Sequence, residues 1–322
     1  MQSFRKTQIS DFAEDVREGL SSTPKFLSSK YFYDEAGSRL FQKIMELPEY
    51  YLTRVEFEIF STQAKEIFEA FTENSKEFDL VELGAGDGRK TAVLIEYFLG
   101  EKANFAYAPI DISPEAVGSL TNDFQKKFPG LKLKPRVGDY FGILETLKGE
   151  SSQPKILLFL GSNIGNFSRR QANVFFNRLR AAMNERDLLF VGFDLQKDPR
   201  VVLAAYDDAQ GITAKFNLNL LRRINRELGA DFALSKFSHY ALYHPVEGAA
   251  HSFLVSREEQ TVFIKELNQS FHFRQWEPIF MEISQKYSPE MIEETARENG
   301  FEIKRKFFDS RRYFVDSLWK PF

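Results

Sequence analysis

The chain has 322 residues, a formal net charge of −3, and 43% hydrophobic and 28% charged residues, which is ordinary for a globular protein of one or two domains. The absence of cysteine excludes disulfide bonds, thiolate metal sites and cysteine nucleophiles, and the 4 histidines follow no metal-binding spacing, so we expect no metal. The near-neutral charge and the polar amino terminus favour a cytoplasmic protein without nucleic-acid or membrane partners.

Residues 1–195 fall into two zones. Residues 1–60 are helical in composition and rich in aromatic side chains. Residues 61–195 alternate strand-like runs with helix-like segments, and the last of these strands covers 187–194. This alternation predicts βαβ units around a mostly parallel sheet.

The alternation stops after residue 195. A predicted helix at 213–228 ends at Gly229, as glycine favours. Polar and apolar residues then alternate in runs that predict an antiparallel sheet with one solvated face, at 237–243, 250–255, 260–264 and 278–284. A final helix at 289–298 and two strand-like runs, 302–308 and 313–319, predict a terminal hairpin that closes the parallel sheet.

The most informative segment is a buried strand that runs into a glycine-rich turn. Its apolar residues surround Glu82, the turn contains Gly84, Gly86 and Gly88, and a helix is predicted from Thr91. Such a turn brings bare backbone close to a nucleotide at the carboxyl end of a strand. The G-x-G-x-G spacing differs from the G-x-G-x-x-G of dinucleotide-binding proteins, and therefore favours S-adenosylmethionine over NAD.

Later strand ends carry polar side chains in an order that suits adenosylmethionine. Asp111 follows the run 105–110 and can accept both ribose hydroxyls. Asp139 can hold an adenine amino group while Tyr140 covers the ring, and the next strand end leads to Asn166. The alternative is that these side chains only cap the helices that follow.

Segments along nearly the whole chain resemble the histidine-specific Nα-methyltransferases of ergothioneine biosynthesis, namely 31–34 with 37–38, 47–54, 82–86, 160–166, 205–211 and 282–284. The resemblance implies a doubly wound, Rossmann-like class I methyltransferase sheet with a second, smaller α+β substrate domain. It also implies transfer of up to three methyl groups from adenosylmethionine to the α-amino group of L-histidine, which gives hercynine.

The resemblance also implies a domain organisation. Residues 61–195 and 287–322, with the extreme amino-terminal helix, are expected to bind the cofactor. Residues 20–60 and 196–286 are expected to bind the substrate, and the protein is expected to be a monomer.

The resemblance assigns residue roles one position at a time. The cofactor contacts that it implies are Glu82, Gly84, Gly86, Lys90, Asp111, Ile112, Asp139, Tyr140 and Tyr50. The substrate contacts that it implies are Tyr33, Tyr50, Asn166, Tyr206, Ser252, Glu282 and Ser284, with Tyr33, Asn166 and Tyr206 as the catalytic set. Asn166 and Tyr206 match the pair that grips the substrate carboxylate, and Glu282 and Ser284 match the pair that hydrogen-bonds the imidazole.

One departure leaves the substrate open. The family usually has a methionine where this chain has Ser252, and an acid where His251 stands. A related amino acid or a partly methylated histidine is therefore an alternative substrate.

Two other functional classes also remain. An NAD-dependent oxidoreductase would need the longer glycine spacing and an acid–base group that handles hydride. A binding module, or a methyltransferase of protein or nucleic acid, would need a large apolar patch or a basic groove.

Overall fold

The computed structural model describes residues 2–150 and 153–322, apart from the side chains of 2–9 and 147–150. The chain divides into two compact units. We call Met1–Tyr51 with Lys197–Ser284 the accessory unit, and Leu52–Gln196 with Gln285–Phe322 the α/β unit. No helix in the described part of the chain combines the length and the apolar character that crossing a membrane requires.

The α-helices of the described residues are α1 (Gln2–Ser21), α2 (Glu35–Glu46), α3 (Leu52–Thr62), α4 (Ala64–Thr72), α5 (Arg89–Gly100), α6 (Pro114–Lys127), α7 (Tyr140–Glu150), α8 (Arg169–Ala182), α9 (Pro199–Ala204), α10 (Ile212–Leu228) and α11 (Pro289–Glu298). The strands are β1 (Lys25–Phe26), β2 (Glu77–Leu83), β3 (Asn104–Asp111), β4 (Lys132–Leu133), β5 (Arg136–Val137), β6 (Lys155–Phe159), β7 (Leu188–Asp194), β8 (Phe237–His244), β9 (Ala249–Ser256), β10 (Gln260–Ile264), β11 (Gln269–Phe273), β12 (Pro278–Gln285), β13 (Phe301–Phe308) and β14 (Phe314–Pro321).

The α/β unit is built on an 8-stranded sheet in the order β13-β14-β7-β6-β2-β3-β4, with β5 also paired to β3. Strands β3, β2, β6 and β7 run parallel, whereas β14 is antiparallel to both β7 and β13. The chain moves outward from β2 to β3 and then returns to β6 on the other side of β2. This reversal creates the crevice in which doubly wound sheets bind ligands. The expected α/β fold and its terminal hairpin are confirmed.

Apolar composition explains the central strands of this sheet. Every residue of β6 and β7 is buried, because helices cover both faces of a parallel sheet. Val81, Leu157 and Trp319 belong to one of its apolar cores. The strand end that the sequence places just before Asp139 is divided into two short strands, β4 and β5, since Pro135 between them has no N–H to donate.

The accessory unit contains a 4-stranded sheet in the order β1-β12-β9-β8. Strands β8 and β9 are antiparallel, whereas β1 adds parallel to β12. The prediction was wrong to place 260–264 with 237–243, 250–255 and 278–284 in one sheet, because β10 pairs with β11, a strand that the sequence analysis missed. Asn268, in the turn between β10 and β11, has a φ of 46°, a left-handed conformation that suits a tight turn.

Two segments lie in different units from those predicted. Helix α1 belongs to the accessory unit, where Phe12 and Val16 share an apolar core with Phe216 of α10. Helix α3 belongs to the α/β unit, where Phe60 stacks on Phe190 of β7 with ring centroids 6.2 Å apart. Helical periodicity shows which face of a helix is apolar, but not which sheet covers that face.

Helix α3 offers a matched pair of variants. Phe60 is fully buried, whereas Phe57 is 47% exposed. We expect Phe60→Ala to lower the free energy of unfolding by about 3–5 kcal/mol, and Phe57→Ala to lower it by less than about 1 kcal/mol. Denaturant unfolding followed by circular dichroism measures both values, and equal losses would contradict the packing of α3 on β7.

Candidate active site

The glycine turn joins β2 to α5 at the carboxyl edge of the sheet. Gly84 and Gly86 have φ values of 72° and 55°, in the left-handed region that favours glycine. The backbone N–H groups of Gly84 and Ala85 donate to the carbonyl of Ile110 on β3, at 2.8 and 3.2 Å. A Cβ on Gly84 would lie 2.9 Å from the Tyr140 hydroxyl oxygen. The turn is therefore held against β3, and glycine is required for both its shape and its contacts.

Asp111 is in direct contact with this turn. Its side chain accepts the N–H of Gly86 at 3.2 Å and the N–H of Ser113 at 3.0 Å. The side chain that caps α6 is that of Ser113, so the alternative in which Asp111 is only a helix cap is wrong. Asp111 is half-buried at the end of β3, and the next side chain, Ile112, is 59% exposed.

Asp139 and Tyr140 approach the same edge at the start of α7. One oxygen of Asp139 accepts the N–H groups of Phe141 and Gly142, at 3.1 and 3.0 Å, so Asp139 does cap this helix. Burial, together with the charges of Asp111 and Asp139, raises the pKa of Tyr140 to about 12. The Tyr140 phenol therefore stays neutral beside two acids. The predicted contacts of Asp139 and Tyr140 with adenine stay predictions.

Glu82 is buried at the end of β2. It accepts hydrogen bonds from the hydroxyl of Thr91, at 2.8 Å, and from the hydroxyl of Tyr107. Burial raises the pKa of Glu82 to about 7. Glu82 thus ties β2 to α5 and β3 on both sides of the glycine turn, while its predicted contact with the cofactor stays a prediction.

Lys90 forms an ion pair with Glu56 of α3. Glu56 is fully buried and also accepts the N–H of Gly161 at 2.7 Å, so it links α3 to the segment that follows β6. The sequence analysis missed Glu56, because an acid on an amphipathic helix is usually solvated. Asp316 of β14 is fully buried close to this pair, and burial together with the charge of Glu56 raises the pKa of Asp316 well above its usual range.

Asn166 lies at the end of a 3₁₀ turn, Asn163–Asn166, after β6. Ser168 caps the following helix, α8, in a reciprocal pair with Gln171. The alternative in which Asn166 caps this helix is therefore wrong. Its half-buried amide lies at the carboxyl edge of the sheet, and its predicted contact with the substrate carboxylate stays a prediction.

Tyr206 and Ser284 come together within the accessory unit. The Tyr206 hydroxyl donates to Ser284 Oγ at 2.6 Å, and both side chains are buried. The carbonyl of Tyr206 lies 3.0 Å from Nε2 of His239 on β8, a contact that anchors the segment after α9. Glu282 is half-buried on β12, two residues before Ser284, so strand alternation points both side chains to one side.

Tyr33 and Tyr50 both contact Phe41 of α2. Their ring centroids lie 5.4 and 6.1 Å from that of Phe41. Phe216 of α10 lies 5.7 Å from Tyr33 and 5.8 Å from Phe41. The sequence analysis missed Phe41 and Phe216, for which the only signal was an apolar position on a predicted helix.

Ser252 is buried on β9, across from Ala241 of β8. His251 points to the opposite face, where its ring lies 5.8 Å from that of Phe280 on β12. Burial lowers the pKa of His251, which favours the neutral ring. Both departures from the family pattern therefore lie in the sheet that carries Glu282.

Comparisons with known proteins address the family of the chain. The family described as "Histidine-specific methyltransferase, SAM-dependent" matches residues 12–321. The chain is 35% identical over 286 residues to the histidine N-alpha-methyltransferase of Mycolicibacterium smegmatis, which covers 89% of this chain and 87% of that protein. It is 27% identical over 287 residues to ergothioneine biosynthesis protein 1 of Schizosaccharomyces pombe, covering 87% and 37% of the two chains. It is 26% identical over 324 residues to an L-tryptophan methyltransferase of Psilocybe serbica, covering 93% and 90%.

Gly84 provides a test of whether the glycine turn contacts the cofactor, as predicted. We expect Gly84→Ala to weaken the binding of S-adenosylhomocysteine at least about tenfold, or about 1.4 kcal/mol, because the new Cβ meets Tyr140 and disfavours the turn's φ. Gly118→Ala is the control, since a Cβ there meets nothing within 4 Å. Titration calorimetry measures both affinities. Unchanged binding by Gly84→Ala would place the cofactor elsewhere.

Proposed function

The chain belongs to the family of SAM-dependent, histidine-specific methyltransferases, and we propose that it transfers methyl groups from S-adenosylmethionine to the α-amino group of L-histidine. Three transfers would give hercynine, the trimethylated betaine of the ergothioneine pathway. The observation that carries the choice of histidine is on β12, where a carboxylate and a buried hydroxyl, Glu282 and Ser284, stand two residues apart. Ser284 already accepts a hydrogen bond from Tyr206, which orients it.

The α/β unit has the groups that suit adenosylmethionine. Gly84 and Gly86 would face the cofactor with backbone, Asp111 would accept its ribose hydroxyls, and Tyr140 would cover its adenine. The neutral Tyr140 phenol and the acid Asp111, both next to the turn, fit a nucleoside. When bound, adenosylmethionine supplies a methyl group on a sulfonium for in-line displacement.

The protein's main contribution to such a displacement is alignment, because neither a metal nor a covalent intermediate is required. The attacking amine must be neutral, and a partly dry site favours loss of its proton. Burial of Tyr206 and Ser284 supports a site with little water. We propose that Tyr33, Asn166 and Tyr206 orient the substrate rather than act as strong bases, with Tyr206 directed to its carboxylate.

Glu282 would select the substrate side chain. A carboxylate accepts a hydrogen bond from an imidazole N–H, and Ser284 offers a second polar contact. A substrate without a donor would lose this hydrogen bond to a charged group, which is worth about 1.5–3 kcal/mol. Side chains that cannot donate would therefore be rejected.

A second candidate substrate is supported by Ser252. This residue is small and buried where the resemblance implies a methionine, so it leaves room for a larger ring or for a partly methylated histidine. The relative from Psilocybe serbica, named L-tryptophan methyltransferase, supports a wider substrate range in related proteins. Glu282 still favours histidine.

We also propose that the protein is a monomeric, cytoplasmic enzyme without nucleic-acid partners. The absence of cysteine suits a reducing compartment, and a net charge of −3 offers no basic footprint for nucleic acid. Light scattering after size exclusion tests the monomer.

Mass spectrometry of the products tests the reaction. Incubation with adenosylmethionine and an amino-acid panel is expected to add up to three methyl groups to histidine. Methylation of tryptophan in preference to histidine would instead favour the second candidate. In that case, Ser252→Met should reduce the tryptophan reaction more than the histidine reaction.

Glu282→Ala tests the imidazole contact. We expect kcat/KM for histidine to fall about 10–100-fold, because the partner of the imidazole N–H is lost, with the affinity for S-adenosylhomocysteine nearly unchanged. Glu259→Ala, in which a 74% exposed carboxylate is removed, is the control and should leave both values unchanged. Equal losses of turnover and cofactor binding in Glu282→Ala would contradict the assignment.

A further inference from the structure

Ionisable side chains from three elements of the α/β unit meet in a buried cluster. Glu56 of α3 and Asp316 of β14 are fully buried, and the side chain of Lys90 on α5 is 22% exposed. Two carboxylates thus share one cation, Lys90. Glu82 is the other acid that acts electrostatically on Lys90 and Glu56.

Two glycines make space for this cluster. A Cβ on Gly192 of β7 would lie 2.6 Å from Oε1 of Glu56, and a Cβ on Gly161 would lie 3.2 Å from Nζ of Lys90. Gly192 pairs directly with Asp316 across β7 and β14. The sheet is therefore shaped to receive Glu56 and Lys90 beside Asp316.

The two carboxyl groups differ in their hydrogen bonds. Glu56 accepts from Lys90 and from the N–H of Gly161, so both of its oxygens have donors. Within the described residues, neither oxygen of Asp316 has a donor, although both are buried. An ionised carboxylate without donors in such a place is costly, and two neighbouring carboxylates do not both ionise readily.

We propose that Asp316 is protonated and that its O–H donates a hydrogen bond to Glu56. This carboxyl–carboxylate pair positions Lys90 and the Gly161 amide at the carboxyl edge of the sheet. Asp316 is a positioning residue, since it acts on Lys90 through Glu56. With Asp316 neutral, Glu56 is the anion that pairs directly with Lys90. The raised pKa of Asp316 agrees with this assignment. The inference rests on the proposed function only in naming adenosylmethionine as the ligand of this edge.

The pH dependence of unfolding tests the shared proton. Asp316 is protonated in the folded chain and ionised in the unfolded chain above its ordinary pKa of about 3.9, so its stabilising effect is lost as pH rises. Above that pKa, ionisation of Asp316 in the unfolded chain raises the unfolding constant about tenfold for each pH unit, as long as Asp316 stays protonated in the folded chain. Asp316→Asn should remove this contribution between about pH 5 and 7. An identical slope in wild type and Asp316→Asn would overturn the shared proton.

Cofactor binding tests the positioning role. Titration calorimetry with S-adenosylhomocysteine is expected to give Asp316→Asn an affinity within about threefold of wild type, because the amide still donates to Glu56. Asp316→Leu, which cannot donate, should bind at least about tenfold more weakly. Equal affinities in these two variants would overturn the positioning role.

A further variant covers the case in which Asp316→Leu does not fold. Glu56→Gln removes the negative charge that lies beside both Lys90 and Asp316. It should weaken S-adenosylhomocysteine binding and also reduce the pH slope of unfolding, whereas wild-type values of both would overturn the proposal. None of these measurements uses histidine turnover, so failure of the proposed reaction would be seen separately.

Discussion

Glycine at three positions is the constraint on which the carboxyl edge of the sheet in the α/β unit depends. Gly84 gives space to the Tyr140 hydroxyl, Gly161 to Lys90, and Gly192 to the Glu56 carboxylate. Gly84 and Gly161 follow the ends of β2 and β6, and Gly192 lies within β7. A side chain at any of these positions would displace the polar group that packs against it. Close packing of polar side chains against bare backbone is therefore common to the glycine turn and the buried ion pair.

In the accessory unit, by contrast, buried polar groups are paired with one another. Tyr206 and Ser284 satisfy one another at 2.6 Å, so two buried hydroxyls are retained at little cost. Aromatic side chains of α2 and α10 hold Tyr33 and Tyr50 through Phe41. Under the proposed function, a small residue such as Ser252 would change the room beside the substrate ring, while the α/β unit would keep its cofactor groups.

Local patterns were sufficient for much of the fold. The apolar runs of β2, β6 and β7, the glycine turn and the end of α10 at Gly229 each depend on neighbouring residues, so periodicity and backbone preference predicted them. The split into β4 and β5 and the separate β10–β11 hairpin were missed. Pairing partners of short strands depend on contacts that no local pattern contains.

The sequence by itself determined the order of strand ends and the residue types at each, which indicated the cofactor class, and its motifs along the chain carried the resemblance to the family. Only the tertiary structure decided which acids are helix caps, which unit holds α1, and that Glu56 of α3 reaches Lys90, Gly161 and Gly192. The physical reason is distance along the chain. Burial and pairing of a charge depend on elements far apart in sequence, whereas a turn or a strand is specified by residues next to one another.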